Sequence, residues 1–205
     1  MQITTTLNRI KVFEDCDPVL KKLLIHLGKK QADDDPVPFS TILDACGLAQ
    51  TILCCKAEPR HNNLWRHYAT DCLETVRHLM GSRSTDVLEA ERCSYIGKET
   101  GIDRSNQKNR AFGAAHGAYL TALCANMAGD PNHEYKKSRE SAAIGVCALT
   151  QGNYEVAIEG AIEVTESKKL RALTKHFRRI VDAGWVPLLL SEECEHQDLP
   201  HKSER

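Results

Sequence analysis

The chain has 205 residues, of which 41% are hydrophobic but only 5% aromatic. Its 27 basic and 28 acidic residues stay balanced along its length, with 8 and 8 in residues 1–60, 8 and 7 in 61–129, and 11 and 13 in 130–205. Lacking a basic block, it is not expected to take nucleic acid as its main partner, and lacking a run of roughly 18 apolar residues it is not expected to span a membrane.

A chain of this size buries enough surface to need no metal or disulfide staple. A core of Leu, Ile, Val, Ala and Cys suits closely packed helices better than a sandwich of β-branched and aromatic side chains. The nine cysteines, at 16, 46, 54, 55, 72, 93, 124, 147 and 194, are odd in number and follow no framework spacing. They read as reduced, mostly buried small hydrophobes. With no apolar run behind a basic N-terminal segment, a cytoplasmic location is expected.

Residues 1–15 are mixed and β-branched, as an extended arm or short strand would be. Asp17 and Pro18 then read as a cap and first helical residue before Val19, Leu20, Leu23, Leu24 and Leu27, with Gly28 as the stop. A loop holding Asp33, Asp34, Asp35 and Pro36 leads to a short helix capped by Ser40, and Gly47 separates it from another around Leu48, Ile52 and Leu53. A strongly amphipathic helix opens near Asn62 and carries Leu64, Trp65, Tyr68, Cys72, Leu73, Val76 and Leu79 to Gly81. Ser84 is placed to cap the next, which ends by Gly101.

Asp103 opens the longest helix. Its apolar stripe of Phe112, His116, Tyr119, Leu120, Leu123, Cys124 and Met127 is expected to face the core. Asp130 and Pro131 repeat the cap device before a helix through Val146 and Cys147 to Gly152. Asn153 starts the last helical stretch, which continues or restarts at Ser167 and runs to Gly184. The sum is an all-α single domain, residues 1–190, of about seven to eight helices, followed by a flexible tail at 191–205.

Four groups of residues are candidates for chemistry. His67, Asp71, Glu74 and His78 recur at steps of four, three and four, so one helix face carries two imidazoles and two carboxylates. That set would suit a divalent metal and a hydrolytic enzyme; a solvated face is the alternative. Cys54 and Cys55 with His61, His67 or Cys72 make a poor zinc set, since no C-x-x-C pair occurs. Asp33, Asp34 and Asp35 repel one another on a loop, which suits contact with a basic partner.

Lys168, Lys169, Arg171, Lys175, Arg178 and Arg179 follow Glu155, Glu159, Glu163 and Glu166. This gradient matches either a helix dipole or a basic face for an acidic partner. Gly113 and Gly117 mark a close helix approach, within the chain or across the seam of an oligomeric scaffold. Phosphate-loop, nucleophile-elbow and H-E-x-x-H signatures are absent, and no cofactor is implied.

One resemblance adds to this reading. The run Lys21, Lys22, Leu23, Leu24, Ile25, His26, Leu27, Gly28, Lys29, Lys30, Gln31, Ala32, Asp33, Asp34, Asp35, Pro36, with Ile42, Leu43 and Asp44 beyond it, resembles the small all-helical immunity proteins of bacterial chromosomes, prophages and plasmids. Residues 47–57 and 64–80 extend the likeness, which covers roughly residues 16–96. It implies an all-α fold and neutralisation of a toxin or defence complex by stoichiometric binding; with the balanced charge and the missing catalytic spacings, a non-enzymatic protein, monomeric or homodimeric, is expected.

Overall fold

Helix-forming periodicity dominates the chain, and the computed structural model, which describes residues 2–95 and 104–183, is correspondingly all-α. In chain order the elements are β1 (Thr4–Thr5), α1 (Leu7–Lys11), α2 (Asp17–His26), β2 (Val37–Pro38), α3 (Phe39–Cys46) and α4 (Leu48–Leu53). There follow α5 (Asn62–Thr75), α6 (Ser82–Tyr95), α7 (Arg104–Met127), α8 (His133–Gln151), α9 (Tyr154–Glu163) and α10 (Ser167–Ala183). Ten helices among the described residues exceed the seven or eight expected. The domain end expected at residue 190 and the tail expected at 191–205 lie outside the described residues.

The N-terminal arm is extended only in part. Thr4 and Thr5 pair antiparallel with Pro38 and Val37. Thr6 then caps α1, its hydroxyl accepting from the Arg9 amide at 3.2 Å. A single short turn of apolar residues, Leu7 and Ile10, is enough to hold α1 because both side chains are fully buried. The same arm reaches the other end of the chain, where the Ile3 amide donates to the Val181 carbonyl at 2.7 Å.

Both Asp-Pro caps fall short of their expected roles. Cys16, after a short 3₁₀ turn, occupies the N-cap position of α2 without a side-chain capping bond, so Asp17 and Pro18 occupy its first turn, where Pro loses no needed amide bond. Asp130 instead accepts from the Asn132 amide at 2.8 Å, a local turn that delays α8 to His133. The stretch from Asn153 to Gly184 restarts rather than continues: α9 ends at Glu163 and α10 begins at Ser167. One dipole spanning Glu155 to Arg179 is therefore not formed.

The core is centred on α5. Trp65, Tyr68, Ala69, Cys72 and Leu73 are buried, and so are Thr70, Asp71 and Thr75, because α6, α8, α9 and α10 all pack on this helix. Phe39 of α3, Trp65 and Tyr68 of α5 and Phe177 of α10 form one aromatic cluster. Phe177 stacks on Trp65 at 6.1 Å and meets Tyr68 edge-on at 5.0 Å. On the other side, α7, α8 and α9 form successive antiparallel neighbours.

The tightest helix contact lies between α8 and α9. A Cβ on Gly160 would stand 2.8 Å from the Ser141 carbonyl oxygen, and one on Gly145 would stand 2.8 Å from Leu73 Cδ2 and 3.1 Å from the Ala157 carbonyl oxygen. Only glycine allows that approach. At Gly113 and Gly117, where it was expected, an added Cβ would meet nothing within 4 Å. No helix among the described residues is long and apolar enough to cross a membrane.

Candidate functional site

The four residues of the metal-like face are separated by the fold. Asp71 is buried, and its Oδ2 lies 2.9 Å from His176 Nε2 of α10, itself 3% exposed. Glu74 is engaged by Arg77 at 3.1 Å, and Arg77 bridges onward to Glu89 of α6 at 3.3 Å. His78 stands beyond the end of α5, in a 3₁₀ turn, and is exposed. His67 is half-buried, and that burial lowers its pKa against an opposing pull from Asp71. The face is thus neither a metal cluster nor simply solvated: α10 covers its middle. Among the described residues no group of three or more His, Cys, Asp or Glu side chains is placed to hold a metal ion.

The cysteines proposed for zinc turn inward. Cys54 and Cys55 are buried, their thiols directed at the Gln50 and Thr51 carbonyls one turn back. Burial pushes the thiols of Cys55 and Cys72 upward in pKa, so both are held protonated.

Two of the three carboxylates of the acidic loop are met by one lysine of the same loop. Lys29 Nζ lies 2.6 Å from Asp33 and 2.8 Å from Asp35, and its hydrogen bond holds the Asp33 carboxyl below the usual carboxylate range. On α10, Leu173, His176, Phe177, Ile180 and Val181 are buried, while Lys168, Arg171, Lys175 and Arg179 are exposed. Arg178 is committed to Asp44, whose pKa it lowers, and Lys169 Nζ reaches the Thr75 carbonyl at 3.4 Å. A row of four exposed cations remains on this helix, each with the usual freedom of a solvated side chain.

The long helix α7 reverses the sequence expectation. Facing α8 is a seam of small residues, with Ala111, Ala122 and Ala125 buried and Ala114, Ala115 and Ala118 partly so. The large apolar side chains point outward. Phe112 is 64% exposed, Tyr119 46%, Leu120 44%, Leu123 39% and Met127 79%, and Cys124 is exposed with them. Phe112 and His116 stack in parallel planes at 6.3 Å across one turn.

Residues 111–127 contain no Asp, Glu, Lys or Arg at all. The exposed stripe offers on the order of 500 Å² of largely apolar surface, judged from side-chain areas. The largest patch on an ordinary monomer is of about this size and is often functional.

A cleft of about 440 Å³ lies at the other end of α7, against Gln107, Gly152 and Tyr154. Its principal charges cancel: Arg66 Nε donates to Glu91 at 2.9 Å, with Glu91 only 5% exposed. This is a structural pair, tying α5 to α6.

The fold and its surfaces define an all-α protein whose most distinctive exposed feature is the charge-free apolar stripe on residues 112–127 of α7. The chain matches no family model, no curated protein and no solved structure.

Proposed function

We propose that the chain is a non-enzymatic, immunity-type protein that neutralises one protein partner by stoichiometric binding, and that α7 is the surface that grips it. The observation that carries this reading is the exposure of Phe112, Tyr119, Leu120, Leu123 and Met127 on a stretch of α7, residues 111–127, without Asp, Glu, Lys or Arg. Aromatic residues and Met are enriched where proteins meet, and charged residues are depleted from the centres of such patches. A helix that presents Phe, Tyr, Leu and Met at one-turn intervals is built to enter an apolar groove or cover an apolar face.

The resemblance of residues 16–96 supports the same class. That segment supplies α2 to α6, the framework, whereas α7 lies beyond it and is free to differ with the partner. The acidic loop and the basic face of α10 become secondary contacts at most, since Lys29 and Asp44 already satisfy part of their charge.

Affinity capture from the native host with the wild-type chain and a Leu123→Glu/Met127→Glu variant tests the reading. The wild type is expected to retain one partner in near-equal amount and the variant to lose it, with helical content unchanged by circular dichroism. Equal recovery by both proteins, or no stoichiometric partner for the wild type, overturns it. Light scattering on the same two samples addresses the oligomeric scaffold: a wild-type dimer that the variant dissociates, with no other protein bound, replaces the immunity reading.

A further inference from the structure

We infer that in the free protein the apolar stripe of α7 is covered by the same stripe of a second copy of this chain, as an antiparallel two-helix seam. The inference deepens the proposed function and rests on its choice of α7 as the interaction surface. The dimer is the resting form, and a protein partner takes the place of the second copy.

Spacing selects the occupant. The stripe consists of Phe112, His116, Tyr119, Leu120, Leu123 and Met127, all exposed. These six positions are symmetric about the peptide bond between Tyr119 and Leu120. When a second copy is laid antiparallel across a two-fold axis at that point, Phe112 stands opposite Met127, His116 opposite Leu123 and Tyr119 opposite Leu120. Every member of the stripe then meets another member. A two-fold interface has to be self-complementary in this sense, whereas a stripe fitted to an unrelated groove has no need of symmetry.

The helix geometry suits the same arrangement. Phe112, His116, Tyr119 and Leu123 follow at steps of four, three and four, the repeat with which two helices stay in contact at a shallow crossing angle. From Phe112 to Met127 the seam runs about 22 Å. Phe112 and His116 already stack in parallel planes at 6.3 Å, and the flat surface they form faces the Met127 thioether of the second copy, a favourable sulfur–aromatic contact.

Charge sets the orientation. Residues 111–127 carry no Asp, Glu, Lys or Arg, so the two-fold axis brings no like charges together along the seam. Just before the stripe, Lys108 is exposed and makes no ion pair among the described residues. A parallel pair would set Lys108 against its own copy. The antiparallel pair sets it instead beside the turn where Lys136 holds Asp130 and where Glu134 is exposed.

The area is sufficient. About 500 Å² from each copy gives roughly 1,000 Å² of apolar surface buried in the pair, before the exposed rim of Lys108, Asn109 and Asn126 is added. That reaches the range in which specific association begins.

The test is sedimentation velocity of the full chain from low to high micromolar concentration. The wild type is expected to move from the 22.9 kDa of one chain to twice that mass, and Leu123→Glu/Met127→Glu to remain at one chain with unchanged helical content. Cross-linking with a short bismaleimide in a Cys124→Ser background reads the orientation. Leu120→Cys, beside the axis, should link to its own copy. Asn126→Cys, on the edge of the same stripe, should not, because the antiparallel register separates the two residues by about 20 Å along the seam.

A wild type that stays at one chain throughout overturns the dimer and leaves a captured protein partner as the occupant of the stripe. A dimer that survives Leu123→Glu/Met127→Glu overturns it too, as does linking through Asn126→Cys or a failure of Leu120→Cys to link above the background. A dimer with the predicted cross-link, but with no partner captured from the native host, overturns the proposed function instead.

Discussion

Cys72 and Cys124 have the same side chain and sit at comparable positions in two amphipathic stripes, yet the fold gives them opposite environments. Cys72 is fully buried beside Leu73 and Tyr68, whose hydroxyl donates to the Leu173 carbonyl at 3.0 Å. Cys124 is exposed, against the expectation that both would be buried. Cys72→Ser places a hydroxyl in an apolar site and is expected to cost about 1–3 kcal/mol, whereas Cys124→Ser should change stability by under about 0.5 kcal/mol. Urea unfolding of the two variants in reductant measures both.

His67 adds a pH dependence at the same scale. Burial lowers its pKa beneath the usual 6.5, and His61 shifts in the same direction for the same reason. The folded protein therefore binds fewer protons than the unfolded chain just below 6.5, and stability present above that pH is lost as pH falls through the depressed value. The carboxylates of Asp33 and Asp44, lowered by Lys29 and Arg178, lose their contribution only below 3.8. His67→Gln is expected to flatten the urea midpoint between about pH 7 and about pH 5 while leaving the more acidic limb in place. An unaltered slope in that window would assign it to other groups.

Among the elements, the glycine-bearing helices differ most from their sequence reading. Gly113 and Gly117 are spaced one turn apart and look like a packing seam, but they face an open cleft. Gly145 and Gly160 attract no notice in the sequence, lying on different helices, and yet α8 and α9 cross at them. Gly160→Ala forces a methyl to within 2.8 Å of a backbone oxygen and is expected to destabilise by about 1–3 kcal/mol. Gly117→Ala relieves the entropy of a helical glycine and should stabilise by about 0.5–1 kcal/mol. Thermal melts of the pair distinguish these signs, and equal effects would contradict the helix arrangement.

The helix α7 shows why such errors arise. It carries two stripes of the same period, one of Ala111, Ala118, Ala122 and Ala125 and one of Phe112, Tyr119, Leu123 and Met127. Periodicity detects both and ranks the larger side chains as core. Close helix packing favours the smaller ones when the neighbour, α8, is itself lined by Ala142 and Ala143.

For the whole molecule, α10 is one of the elements that join the two chain halves, beside the packing of α8 and α9 on α5. Its Phe177 contacts Phe39, Trp65 and Tyr68, its Val181 carbonyl accepts from Ile3, and Arg178 holds Asp44. Buried His176 adds a polar tie to Asp71. Phe177→Ala removes the ring on which three helices converge and is expected to cost about 3–5 kcal/mol in a single cooperative unfolding transition. Loss of α10 alone, with α2 to α6 still folded by hydrogen exchange, would show instead that the halves are independent.

Local chemistry was legible without a structure wherever a residue's neighbours in sequence decide its state. The all-α class, the stops at Gly28, Gly47 and Gly152, and the amphipathic faces of α5 and α10 follow from apolar spacing and from glycines at positive φ. Residues with partners far along the chain were not. Asp71 is paired with a histidine 105 positions away, Ser84 lies buried beside α7 and α8, and Phe112 to Met127 are left exposed. Periodicity marks a face but carries no information on which element covers it. Only the packing of α10 on α5, and of alanines rather than large side chains between α7 and α8, decided which faces were core and which were left exposed.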